Sequence, residues 1–301
     1  MGIRFCDFDM NMPIVAPVIY DSTPHLTTNK GVVISSEIKQ ELGKFLSSFN
    51  ASANVEQVPY YRIDAYFDEK SLWILEINAS FVDGWGTALN LARASDIPVD
   101  PKELIFPQRF AIQDSVYLPE LKLFLDEMSA LGIKNHTVCE WNEGGSNQIY
   151  VYGRVGSKDQ PHILPYDGLR IDNKLNLCLF SRTWNSTLVK IPRHYVHRFD
   201  PWEEIPGEVV LKFCEKGSAE CEKARQSVIF NKPSGQAKFI RQCYSAETLI
   251  VQDIVHPTKQ GENNCQLIIF VIGDKPITGY VQYSEKNIIN DNSIHGPLRI
   301  S

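Results

Sequence analysis

The chain has 301 residues, 43% of them apolar and 22% charged, with a formal net charge of −6 and a pI near 5.7. A chain of this length buries a substantial core in two or three compact units, and its acidic balance argues against a surface that coats nucleic acid, which needs clustered lysine and arginine. No apolar run, "QLIIFVI" included, is long enough to span a bilayer, the opening "MGIRFCDFDM" lacks a signal peptide's apolar stretch, and the seven cysteines contain no C-x-x-C. A cytoplasmic protein with no membrane or nucleic-acid partner, no zinc site and no disulfide framework is expected.

In chain order, Ile38, Leu42, Phe45 and Leu46 recur at helical spacing and predict a helix from about Ser36 to Phe49. "RIDAYFDEKSLWILEIN", residues 62 to 78, reads as a β-hairpin and "GTALNLARA" as a second helix. The three prolines of "DIPVDPKELIFP" then place a unit boundary near residue 100. Residues 101–205 hold an amphipathic helix at "PELKLFLDEMSALGI" and strand candidates at "RFAIQ", "HTVCEW", "QIYVYGR" and "LNLCLFS", an α/β alternation. Residues 206–301 begin with the strand "EVVLKFC" and a short helix at "AECEKARQSV". Strands follow at "AKFIRQCY", "TLIVQDIV", "CQLIIFVI" and "ITGYVQYS", an α+β pattern with a mostly antiparallel sheet.

The hairpin carries the chemistry. Side chains alternate along a strand, so Arg62 and Asp64 share one face, as do Glu76 and Asn78. A three-residue connection, Glu69-Lys70-Ser71, would set Asp64 opposite Glu76 and Arg62 opposite Asn78. Two carboxylates facing each other repel unless a cation lies between them, and with an amide oxygen they outline a magnesium site. The solvated face of a surface hairpin would carry the same four residues, and spacing alone leaves both readings open.

R-x-D, a turn and "LEIN" resemble the metal-binding hairpin of ATP-grasp enzymes. The resemblance implies that Asp64, Glu76 and Asn78 hold Mg²⁺ and that Arg62 stabilises the phosphorylated intermediate. Residues 206–284 resemble the family's nucleotide-binding half. By that likeness Lys212 in "EVVLKF" meets phosphate, Gln252, Asp253, Ile254 and Val255 in "TLIVQDIVHP" border adenine, Glu262 binds ribose, and Lys190 before "IPRHYVHRF" is a second phosphate lysine. Gln266 stands where an arginine is common in the family.

The order of these parts is rotated relative to the family. The expected fold is therefore an α+β and α/β ATP-grasp arrangement in circularly permuted order, with two mixed or antiparallel sheet subdomains flanking a nucleotide cleft. Residues 1–100 would supply the metal-binding part, 101–205 a pre-ATP-grasp-like α/β unit and 206–301 the nucleotide-binding part. The implied activity is a carboxylate–amine ligase that uses ATP and Mg²⁺ on small-molecule acids and amines through an acyl phosphate. A small-molecule kinase on the same scaffold and a non-catalytic nucleotide-binding or scaffold protein are the alternatives. Gly84 and Gly86 in "NASFVDGWGTA" are either openings for substrate beside the metal or plain turn glycines.

Overall fold

Along the hairpin Ile63, Ala65 and Phe67 alternate with Arg62, Asp64 and Tyr66, so the sheet that contains it has one apolar and one polar face. A computed structural model describes residues 2–14, 26–80, 82–140, 148–152, 160–215, 228–231, 237–286, 289 and 293–301. The first elements are β1 (Ile3–Asp7), β2 (Lys30–Ile34), α1 (Ser36–Ser52), β3 (Tyr60–Phe67), β4 (Leu72–Asn78) and α2 (Trp85–Ala94). Next come β5 (Arg109–Ile112), α3 (Leu118–Ala130), β6 (Thr137–Val138), β7 (Ile149–Tyr152), β8 (Ile163–Leu164), α4 (Gly168–Ile171), α5 (Lys174–Phe180), β9 (Val189–Lys190) and β10 (His194–Tyr195). The remainder is β11 (Glu208–Phe213), β12 (Val228–Asn231), α6 (Ala237–Ser245), β13 (Leu249–Gln252), β14 (Lys259–Gln260), β15 (Asn263–Ile272), β16 (Lys275–Ser284) and β17 (Ile294–Ile300).

Among the described residues these strands form three sheets. A large mixed sheet of nine strands runs β1-β2-β17-β16-β15-β3-β4-β9, with β14 beside β15, and is antiparallel except where β17 meets β2 and β4 meets β9. An antiparallel sheet runs β10-β13-β11-β12, and a parallel one runs β6-β5-β7-β8. The large sheet draws on residues 3–78, 189–190 and 259–300, so the segments divided near residues 100 and 206 are joined by shared strands.

Helix α1 covers the apolar face, where Ile38, Leu42, Phe45, Leu46 and Phe49 pack against Tyr61, Ile63, Ala65, Leu267, Ile269 and Val281. Each fully buried side chain of this kind contributes about 1.5–3 kcal/mol relative to exposure. At one end of the opposite face, α2 and α3 close over Phe270 and Tyr280 through Trp85 and Phe124. The rest of that face carries the hairpin's polar residues.

Two expected strands are helices. "LNLCLFS" alternates like a strand, yet the Asn173 side chain accepts the N–H of Leu175 at 2.9 Å and starts α5, whose buried Lys174, Leu177 and Cys178 recur at three- and four-residue spacing. In "AKFIRQCY", Ile240, Cys243 and Tyr244 do the same in α6 and pack on Leu249 and Val251. The expected helix at 219–228 lies, apart from Val228 in β12, outside the described residues.

Helices α2 and α3 are joined by a buried carboxyl. Glu120 accepts from Thr87 N–H at 3.0 Å, from the Thr87 hydroxyl at 3.0 Å and from the Tyr152 hydroxyl at 3.3 Å. Burial pushes Glu120 from its ordinary 4.5 up to about 7, and Asp83 adds to the rise against the hydrogen bonds to Thr87 and Tyr152. With the folded value raised, this stabilisation is complete below about pH 4.5 and is lost as pH rises through about 7. Urea unfolding across that window should show wild type losing up to about 1.4 kcal/mol per pH unit relative to Glu120→Gln, in which this titration is absent. Parallel profiles for the two proteins would show that Glu120 is ionised throughout.

Candidate active site

The hairpin register is Arg62 opposite Asn78 and Asp64 opposite Glu76. The pairing is the expected one, but the connection differs. Phe67 pairs with Leu72, so four residues, 68–71, link the strands, and Asp68 closes the turn by accepting the N–H groups of Lys70 and Ser71 at 2.8 Å. A β-bulge beside Asp64 then absorbs Leu75 and restores the register, since Ala65 pairs with Ile74. A bulge turns an extra residue out of the ladder. Here the Leu75 carbonyl accepts Lys212 Nζ, which crosses from β11, at 2.7 Å.

Around this contact the charges interlock. Arg62 donates through Nε to Asp64 Oδ1 at 3.1 Å and through Nη1 to Asp83 Oδ1 at 2.9 Å, and Asn78 Nδ2 donates to the same Asp64 oxygen at 3.3 Å. Glu76 accepts from Lys174 through Oε1, and its Oε2 lies 3.9 Å from Lys212 Nζ. Lys174 also donates to Asp172 Oδ1 at 2.8 Å, and Asp172 Oδ2 accepts the N–H groups of Ala79 at 3.2 Å and Ser80 at 3.1 Å together with the Ser80 hydroxyl. Asp172 thereby fixes the chain just beyond β4.

The two buried lysines titrate in opposite directions. Burial opposes charge on both, but Asp172 and Glu76 together hold the Lys174 ammonium well above its ordinary value. Lys212 has a carbonyl and one more distant carboxylate, so burial pushes it down to about 8, opposed by Glu76 and reinforced by Lys174. Arg62 resembles Lys174, for Asp64 and Asp83 outweigh the effect of burial and raise it.

These cations already meet the opposed carboxylates. The repulsion between Asp64 and Glu76 is offset by Arg62, Lys174 and Lys212, and among the described residues no group of three or more His, Cys, Asp or Glu is placed to hold a metal. Magnesium is usually bound through one or two carboxylates, with water and phosphate oxygens completing its shell. The donor set of Asp64, Glu76 and Asn78 fits that chemistry once Glu76 is released from Lys174.

On the antiparallel sheet Lys212 pairs with Ile250, Val210 with Gln252 and His194 with Gln252, so Lys212, Gln252 and His194 share a face. Burial, with Lys212 adding to it, pushes His194 down to about 3, which leaves the ring neutral at physiological pH. Gln252 is 2% exposed, and its Nε2 has no hydrogen-bond partner among the described residues. A buried donor left in that state is costly.

The other expected site residues lie further out. Lys190 pairs with Trp73 at the turn end of β4 and places its Nζ 4.8 Å from the centre of that ring. Asp253 accepts from the Tyr195 hydroxyl at 2.9 Å, Ile254 and Val255 are half-buried beyond β13, and Glu262 is exposed in the turn before β15. Gln266 is buried on β15 opposite Gln282, on the hairpin's polar face. Residues 216–218, which follow Lys212 in the sequence, lie outside the described residues. Neither glycine beyond the hairpin opens toward a substrate. Gly84 has φ +93° and lies against Tyr280 and Phe270, and a Cβ on Gly86 would meet Phe124 N at 2.7 Å, so both serve turn geometry and close packing.

Asp172, Lys174 and Asp83 belong to this cluster and were not anticipated. The signal was "DNK" ahead of "LNLCLF", an asparagine cap that sets an acid and a lysine at a helix start, and reading that run as a strand concealed it.

No family model and no curated protein matches the chain. Among solved structures, a protein from Methylobacillus flagellatus KT described as "Putative gamma-glutamylcysteine synthetase" is similar over 91% of this chain and 87% of its own, at 10% identity and a TM-score of 0.44.

Proposed function

We propose that the chain is an ATP-dependent carboxylate–amine ligase of ATP-grasp type in circularly permuted order, with nucleotide bound between the β10-β13-β11-β12 sheet and the β3–β4 hairpin. The observation that carries this reading is the seam at Leu75 and Glu76, where Lys212 reaches from one sheet to an Arg62, Asp64, Glu76 and Asn78 set on the other. A lysine 7% exposed inside an apolar strand is costly without an anion to meet it. Permutation is supported by the pairing of β15 with β3 from Leu267 opposite Ala65 to Ile272 opposite Tyr60, which sets strands from near the chain's end beside a hairpin from near its beginning.

In this reading Lys212 and Lys190 meet the phosphates, Gln252 Nε2 and the backbone of Asp253, Ile254 and Val255 border the adenine, and Glu262 meets the ribose. Asp64, Glu76 and Asn78 would hold Mg²⁺, which neutralises charge on the β- and γ-phosphates. A substrate carboxylate oxygen attacks the γ-phosphorus as the bond to ADP breaks. An amine then attacks the acyl carbon, loses a proton and expels phosphate. Arg62, which pairs with Asp64 and Asp83, would stabilise the negative charge that develops in both steps. Neither step requires a side-chain nucleophile.

The test is ADP formation with pooled small acids, with and without pooled amines. Release of ADP and phosphate that requires both an acid and an amine is expected. ADP formed with a hydroxyl acceptor alone would identify a kinase, and the absence of both turnover and MgATP binding would contradict an ATP-using enzyme.

A further inference from the structure

In the charge cluster, Lys174 donates through Nζ to Glu76 Oε1, on the carboxylate proposed above as a metal ligand. Its side chain is 10% exposed and pairs with two carboxylates, Glu76 on the hairpin and Asp172 beside its own helix. These partners are unequal. Asp172 is pinned by two backbone N–H groups and a hydroxyl, whereas Glu76 is a proposed metal ligand. The Lys174 backbone is fixed as well, because its N–H donates to the Cys214 carbonyl at 3.0 Å, two residues beyond Lys212. Only the four-carbon stem is left to move the ammonium.

We infer that Lys174 is a tethered stand-in for the cation at Glu76, so that ammonium and divalent metal are alternative partners of one carboxylate. This rests on the proposed metal site. A metal at Glu76 and an ammonium on the same carboxylate would lie within a few ångströms of each other, and their repulsion moves Lys174 off Glu76 while Asp172 keeps hold of it. The chain without metal thereby keeps its closest cation on Glu76, as Arg62 stays on Asp64. In exchange, its affinity for a free divalent cation is low until nucleotide phosphate offers the displaced ammonium a second anion. Metal and nucleotide therefore bind with positive coupling, and the coupling passes through Lys174.

Mn²⁺ binding to the full chain, followed by electron paramagnetic resonance without nucleotide, tests this apart from catalysis. Lys174→Met keeps the stem and removes the competitor, so it should bind Mn²⁺ about tenfold more tightly than wild type. Lys174→Arg, which retains the charge, should show no such gain, and Glu76→Gln should lose binding. Adding a non-hydrolysable ATP analogue should tighten Mn²⁺ binding in wild type by a larger factor than in Lys174→Met. If the methionine variant does not fold, Lys174→Gln removes the charge while keeping a donor and carries the same expectation. Equal or weaker Mn²⁺ binding in the uncharged variants, with binding still dependent on Glu76, would make Lys174 a structural ion pair and leave the metal site standing. Absence of Mn²⁺ binding in every variant, with and without nucleotide, would remove both.

Discussion

Asp64→Asn and Glu76→Gln are each expected to lower ATP turnover by about 10²–10³-fold, the scale on which loss of one preorganised electrostatic partner acts. Their effects on the chain without metal should differ, because their partners differ. Asp64→Asn leaves Arg62 paired with Asp83, so the loss should be close to that of one ordinary hydrogen bond, roughly 0.5–1.5 kcal/mol. Glu76→Gln leaves Lys174 with Asp172 and Lys212 with the weaker attraction of Asp64, and should cost more, roughly 1–3 kcal/mol. The interlocked cations thus reverse what two opposed carboxylates alone would suggest, which is a chain relieved by removing one of them. Wild type at a hundredfold excess of MgATP over its Kd should gain about 2.7 kcal/mol of stability, and both variants much less. Thermal unfolding with and without MgATP, alongside turnover, measures both effects. Variants that retain full turnover and the full MgATP shift would identify Asp64 and Glu76 as members of a structural ion-pair cluster with no part in binding MgATP.

Lys212→Met should weaken MgATP binding by about 10- to 150-fold, equivalent to the roughly 1.5–3 kcal/mol of a charge-assisted hydrogen bond. Methionine keeps the packing of the stem within β11. The free chain should change little, because two effects oppose each other. The Leu75 carbonyl loses its partner, while a cation that burial has pushed down to about 8 is removed from the interior. Calorimetric titration of wild type and variant with MgATP measures the difference. Equal affinities would show that Lys212 serves the Leu75 bulge alone.

The hairpin faces were legible because a period of two is insensitive to loop details, and the register followed from them by a compensation. A four-residue turn would have shifted every pair by one, and the bulge at Leu75 cancels that shift. Nothing in "SLWIL" marks a bulge, so the carbonyl that receives Lys212 was not readable. Asp172 and Lys174 were hidden by "LNLCLF", which satisfies strand alternation and helix burial equally well, and the Asn173 cap decides for the helix. Strand β17 went unseen because Gly296 and Pro297 interrupt it, yet Pro297 pairs with Tyr280 and the strand lies between β16 and β2. The contact of Lys212 with Leu75 and Glu76 forms where distant segments meet, and no local pattern encodes such a meeting.

The most direct measurement is a crystal structure of the full chain grown with Mg²⁺ and a non-hydrolysable ATP analogue. The triphosphate should lie between Lys212 and the Asp64–Glu76 pair, with Mg²⁺ on Asp64, Glu76 and Asn78, the adenine within reach of Gln252 Nε2, and Lys174 withdrawn from Glu76 but still on Asp172. Nucleotide bound elsewhere, with Lys212 still on the Leu75 carbonyl and Lys174 still on Glu76, would contradict the proposed nucleotide site.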